Sequence, residues 1–340
     1  MPNTNLDTAI VIAWPQCTAR SDEAFAIFLR KTGILKNLNF RVGHAAVCLI
    51  NPQTREVLYY DFGRYITPRG YGRARSKYSE PNLKVNILAE FDEDKNLLNV
   101  EDIANELESM AKYTHGEGPM VFSVSKTINF APSKEYADEM VMKGYFPYHG
   151  FEKTKASNCA RYVTEIMKVG NQESTVGLNL KYPVTFRPTP LFNVVAAKSD
   201  ETVYSFECGE LEYLKKKKRH SFTDVALSIL ENGFSTYANQ KNDDTVHGHI
   251  NEPERPASVP VTAQWLGGLG EGAWYQVDRI DAHSFEGSKF EEDGTMEYSG
   301  VYENKNIVLP EGDIKLTYMC HYGFYSVEMD GMTHRFYRVQ

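Results

Sequence analysis

Ser157-Asn158-Cys159-Ala160-Arg161-Tyr162-Val163 is the stretch on which the reading of this chain turns. Asparagine is a strong helix N-cap, and helical spacing runs on from it to about Val169, with Gly170 as the stop. A cysteine therefore opens a helix. Unpaired backbone N–H groups and the positive end of the helix dipole favour thiolate over thiol at that place, and the thiolate is the nucleophile. A nucleophile of this kind needs a base. Far upstream, Arg41-Val-Gly-His-Ala-Ala-Val-Cys-Leu-Ile50 reads as a strand that carries His44.

The next strand, Val57-Leu-Tyr-Tyr-Asp-Phe62, follows the turn cluster Asn51-Pro-Gln-Thr54, so an antiparallel hairpin is expected. Asp61, near the end of that strand, is one hairpin partner away from His44. The expected roles are Cys159 as nucleophile, His44 as general base and then acid, and Asp61 as the group that orients the imidazole. The Cys159 backbone N–H is one oxyanion donor, and Gln16, past the first strand, is a candidate for the second. A register slip would put Tyr60 or Glu56 in place of Asp61. Each residue also has a structural reading: a small buried hydrophobe, a core histidine, a turn-capping acid. The order and settings together favour the site. Cys48 shares a face with His44 but lies roughly 13 Å along the strand, which makes it a core residue.

A histidine strand, then a polar residue on the next strand, then a helix opening with Asn-Cys: this order resembles the circularly permuted papain-like hydrolases. That group includes permuted NlpC-type cell-wall peptidases and the lecithin retinol acyltransferase group. Gly-His-Ala-Ala-Val and Ser-Asn-Cys-Ala-Arg-Tyr-Val carry the resemblance, over about residues 8–175. In ordinary NlpC-type enzymes the cysteine helix comes before the histidine strand, whereas here it comes after. The resemblance implies an α+β, permuted papain-like domain with an antiparallel sheet, with His44, Cys159 and a third residue at its cleft, in a bacterial branch of the group.

The remaining sequence sets bounds. The chain has 340 residues, 42% hydrophobic and 24% charged, with a formal charge of −8. That is enough for two domains, and the acidic balance argues against a nucleic-acid partner. Five scattered cysteines without a C-x-x-C pair suggest neither a disulfide framework nor a zinc ribbon. No secretory pattern or membrane-length span is read, so a cytoplasmic setting is the expectation.

Residues 8–14, 41–50, 56–65, 83–90 and 121–130 read as strands. Residues 21–32, 100–113 and 132–143 read as helices, and 66–81 as a loop. Domains are expected over 1–205 and 261–340, with 206–260 as a linker carrying one helix at 222–231. Short aromatic strands at 273–280, 295–302, 314–320, 324–329 and 333–339 make the C-terminal domain a small β-barrel or β-sandwich. Lys215-Lys-Lys-Lys-Arg219 reads as a solvated linker segment.

Around the presumed cleft, Arg69 and Arg73 in a basic loop are candidates to clamp a substrate carboxylate or phosphate. Tyr148 and Trp14 are further candidate substrate contacts. His247 and His249 read as a polar loop, and neither metal nor cofactor is called for. The function expected is a thiol hydrolase, a cysteine peptidase or amidase acting on a peptide or amide-containing small substrate. The alternatives are an acyltransferase on the same dyad, or a non-catalytic binding module.

Overall fold

Strand β1 (Asp7–Trp14) is buried along nearly its whole length, because both of its faces are covered. The computed structural model describes residues 7–20, 28, 31–32, 39–149, 156–171, 180, 188–199, 202–214, 251–269 and 271–339. They divide into two units, 1–62 with 83–139 and 149–244, and 63–82 with 140–148 and 245–340. The chain is mixed α/β with antiparallel sheets, and its C-terminal part is an all-β, barrel-like domain.

In the first unit, β1 pairs with β4 (His44–Ile50) on one side and β7 (Met120–Ile128) on the other. The hairpin partner of β4 is β5 (Val57–Gly63), and β9 (Tyr204–Glu207) and β10 (Glu210–Tyr213) extend the sheet beyond β7. One sheet face carries Ile10, Ile12, Ala46, Cys48, Val57 and Tyr59. It packs against α1 (Val100–Ser109), whose Val100, Ile103, Ala104 and Leu107 recur at helical spacing on a single face. The opposite face carries Val11 and its neighbour Ser123, whose hydroxyl donates to the carbonyl of Val194 in α5 (Pro190–Ala197). Helix α5 lies beside α4 (Cys159–Gly170), and buried Asn193 joins them by donating to the Ala160 carbonyl and accepting from the Thr164 hydroxyl.

Several local expectations change. The strand foreseen over 41–50 breaks at Gly43, whose φ of +74° no β-strand residue adopts; β3 (Asn39–Arg41) pairs instead with β2 (Thr18–Arg20). The strand foreseen over 83–90 is a 3-10 turn at Pro81–Leu83 and one isolated bridge, Glu56 to Leu88. Its alternation reflects Leu83 and Val85 reaching the core, while the backbone N–H groups of Asn86 and Ile87 bind the Glu106 carboxylate instead of a strand. The helix foreseen to residue 113 stops at Ser109, and a short α2 (Ala111–Thr114) follows Met110. Helix α3 (Phe130–Lys143) begins earlier than foreseen, because Ser133 donates to the Ile166 carbonyl rather than capping it.

In the second unit, the loop foreseen over 66–81 contains β6 (Tyr71–Arg75), paired with β8 (Tyr145–Pro147). A seven-stranded antiparallel sheet runs in the order β11 (Gln264–Gly267), β12 (Gly272–Arg279), β13 (Ser284–Phe290), β14 (Met296–Glu303), β17 (Met332–Arg338), β16 (Phe324–Met329) and β15 (Lys315–Leu316). Strands β11 and β13 are additions to the sequence reading, and β15 is far shorter than foreseen. Tyr275, Phe285, Tyr302, Tyr325 and Phe336 fill the core. Within it Glu80 pairs with both Arg73 and Lys289, and Lys289 also pairs with Glu297. Residues 21–27, the basic run 215–219, the helix foreseen at 222–231 and the loop with His247 and His249 lie outside the described residues.

Candidate active site

His44 is the first residue of β4 and pairs with Trp14, the last of β1. Gly43 makes this entry possible. Its N–H donates to the Cys17 carbonyl at 2.9 Å. A Cβ there would stand 3.2 Å from the Trp14 carbonyl and 3.4 Å from Pro190 Cγ. Positive φ and close quarters both select glycine, and the chain turns sharply just before the imidazole.

Asp61 lies opposite Ala46 in the β4–β5 ladder, so it is a diagonal neighbour of His44 on the same face. Its Oδ2 stands 3.1 Å from His44 Nε2 and also accepts from the Tyr59 hydroxyl at 3.1 Å. Asp61 is fully buried, while the His44 side chain keeps 13% exposure. A buried carboxylate with two donors holds the Nε2–H tautomer and leaves Nδ1 for another partner. The imidazole is also hydrogen-bonded to the Cys159 side chain.

Cys159 is the first residue of α4 and is partly exposed. The preceding Asn158 is extended, with φ −151° and ψ 173°, and its side-chain oxygen accepts from Arg161 N at 2.9 Å. Its amide donates to the His149 carbonyl at 3.3 Å, and Arg161 Nη1 donates to the Ala156 carbonyl at 2.6 Å. The chain on either side of the sulfur is thereby pinned. Burial pulls the His44 pKa down. The hydrogen bonds to Asp61 and Cys159, with the charges behind them, more than offset this, and the pKa is pushed up from 6.5 to about 9.

Trp14 is 4% exposed, with its indole stacked on the His44 ring. Gln16 is half-buried at the same strand end, with its side chain against Gly118. Tyr60 turns to Asp138, donating to Oδ1 at 2.7 Å, and Glu56 forms the bridge to Leu88. In the second unit, Arg69 is exposed. Arg73 is buried, with its guanidinium on Glu80 and on the Cys320 carbonyl. Tyr148 is half-buried and lies under the Arg64 guanidinium. Cys48 is fully buried, and burial pushes its thiol far up. Among the described residues no group of three His, Cys, Asp or Glu side chains is placed to hold a metal ion, and no helix is long and apolar enough to cross a membrane.

His44, Asp61 and Cys159 all lie within one stretch that resembles a known family. Residues 9–176 match the type VI secretion system effector TseH-like family. Residues 263–339 separately match the DUF6695 C-terminal domain. The crystal structure of the type VI secretion system effector TseH is similar at 15% sequence identity and a TM-score of 0.40, over 62% of this chain and 99% of that one. No curated protein matches the chain. The TseH-like stretch also contains two residues of the site that the sequence reading passed over or cast differently: Tyr59, which shares the Asp61 carboxylate, and Trp14, which covers the imidazole.

Proposed function

We propose that the chain is a thiol hydrolase that cleaves an amide or peptide bond through a Cys159 acyl-enzyme, on a first unit of permuted papain-like, NlpC-type design. The observation that carries this is one imidazole hydrogen-bonded to both a buried carboxylate and a cysteine at a helix N-terminus. His44 Nδ1 takes the Cys159 proton, and the sulfur attacks the carbonyl carbon. The Cys159 backbone N–H faces the developing oxyanion, and Gln16 is the candidate second donor. The imidazolium returns its proton to the leaving amine as the C–N bond breaks. Water, deprotonated by His44, then cleaves the thioester, releasing the acid and the thiol. Asp61 holds the ring and balances its charge throughout.

The TseH-like match supports a setting as a secreted effector rather than a resident cytoplasmic enzyme. The test is turnover of peptide and amide substrates, cell-wall peptides included, by the wild type and Cys159→Ala. Loss of turnover and of acyl-enzyme mass in the variant is expected. Turnover that survives Cys159→Ala would refute the assignment, and turnover that depends on an added amine or alcohol acceptor would make the reaction acyl transfer.

A further inference from the structure

Trp14 has a place in the site that its position on β1 does not advertise. It pairs directly with His44 across the ladder, and its indole stacks on the imidazole with ring centroids 5.8 Å apart and planes 19° apart. Gly116, in the segment 115–118, rests on the indole. A Cβ at Gly116 would stand 2.5 Å from Trp14 Nε1, so only glycine lets the segment come this close. The segment is fastened by Cys17, whose thiol donates to the His115 carbonyl at 3.3 Å and accepts from Glu117 N at 3.2 Å. Glu117 is itself turned to the Thr18 N–H at 3.3 Å. His115 and Gly118 both have positive φ, 53° and 71°, which bends the segment at each end. Among the described residues, the titratable groups that act on His44 include Asp61 of β5 and Cys159 of α4.

We propose that Trp14 is a positioning residue for the thiol chemistry put forward above: its ring face fixes the imidazole plane and favours the imidazolium that pairs with the Cys159 thiolate, with residues 115–118 holding the indole in place. The proposal rests on that reading of Cys159 and His44. An aromatic face attracts a cation electrostatically, more strongly where water is excluded, and gives neutral imidazole no comparable attraction. In a coupled pair with one proton to share, this moves population from thiol and imidazole toward thiolate and imidazolium.

The experiment compares the wild type with Trp14→Phe, Trp14→Leu and Gly116→Ala. It reads the His44 midpoint by NMR and the rate of Cys159 alkylation by iodoacetamide at pH 7, with thermal melts as the fold control. Trp14→Leu keeps an apolar cover but removes the ring, so alkylation falls about tenfold and the midpoint moves to lower pH. Trp14→Phe restores both to within about twofold. Gly116→Ala displaces the indole and shifts both readouts in the same direction as Trp14→Leu, and it decides the matter if Trp14→Leu does not fold. An unchanged midpoint in the folded variants, or equal losses in Trp14→Phe and Trp14→Leu, overturns the proposal. Alkylation that does not respond to His44→Ala overturns the parent reading instead.

Discussion

Asp61 reaches His44 diagonally across a β-hairpin, and its Oδ2 stands 3.1 Å from the imidazole Nε2. Asp61 is fully buried, so its charge acts on the ring with little screening by solvent. The His44 midpoint should therefore lie near 9 by NMR and fall in Asp61→Asn, where burial remains and the carboxylate is gone. A wild-type midpoint at 6.5 or below would contradict the arrangement.

The same linkage gives stability a pH dependence. The folded pKa of His44 is raised above its unfolded value, so the stabilisation is complete below pH 6.5 and is lost as pH rises through about 9. Thermal melts across that window should show the wild type losing stability relative to His44→Gln. A constant difference between the two proteins would count against it.

The five cysteines should separate by burial. Cys159 is partly exposed and Cys208 exposed, while Cys17, Cys48 and Cys320 are buried. Burial pushes the Cys320 thiol up to about 12 and that of Cys48 higher still. Peptide mapping after brief alkylation of the native protein should find label at Cys159 and Cys208 and almost none at Cys48 or Cys320. Equal labelling of all five would show that the core is not closed as described.

The elements that set up the sulfur were legible because their signals are local. Asn158 before Cys159 is a cap, and the hydrophobic spacing after it is helical. Asn51 to Thr54 is a turn, which fixes the hairpin that brings Asp61 toward His44. Tyr59 was not legible as a site residue, and Trp14 was legible only as a substrate contact rather than as a cover for the imidazole, since their roles depend on which strand lies beside which and on a diagonal contact that spacing does not specify. Strand β13 was hidden by Lys289, whose burial makes sense only once Glu80, over two hundred positions earlier, stands 2.8 Å away. Residues 83–90 misled in the opposite sense: they alternate, but Glu106 takes the backbone N–H groups that a neighbouring strand would have used.

Removing the cap should cost stability and reactivity together. Asn158→Ala loses the bond to Arg161 N and the tether to His149, at a cost of about 1 kcal/mol in urea unfolding. Cys159 alkylation at neutral pH should slow as well, because the helix start is no longer fixed against His44. A variant with wild-type stability would show that the cap contributes nothing.

In the β unit, Glu80→Gln leaves Arg73 and Lys289 buried without their shared carboxylate. Breaking a buried pair in this way costs about 3–5 kcal/mol. Chemical denaturation followed by tryptophan fluorescence should show the loss, and a change under about 1 kcal/mol would mean the cluster is hydrated rather than sealed.

The most direct test of the account is the pH dependence of Cys159 alkylation, measured by mass spectrometry in the wild type and in His44→Ala, with the exposed Cys208 as internal reference. The paired arrangement predicts that Cys159 outpaces Cys208 well below neutral pH and that the advantage disappears in His44→Ala. Identical Cys159 profiles in the two proteins would contradict it.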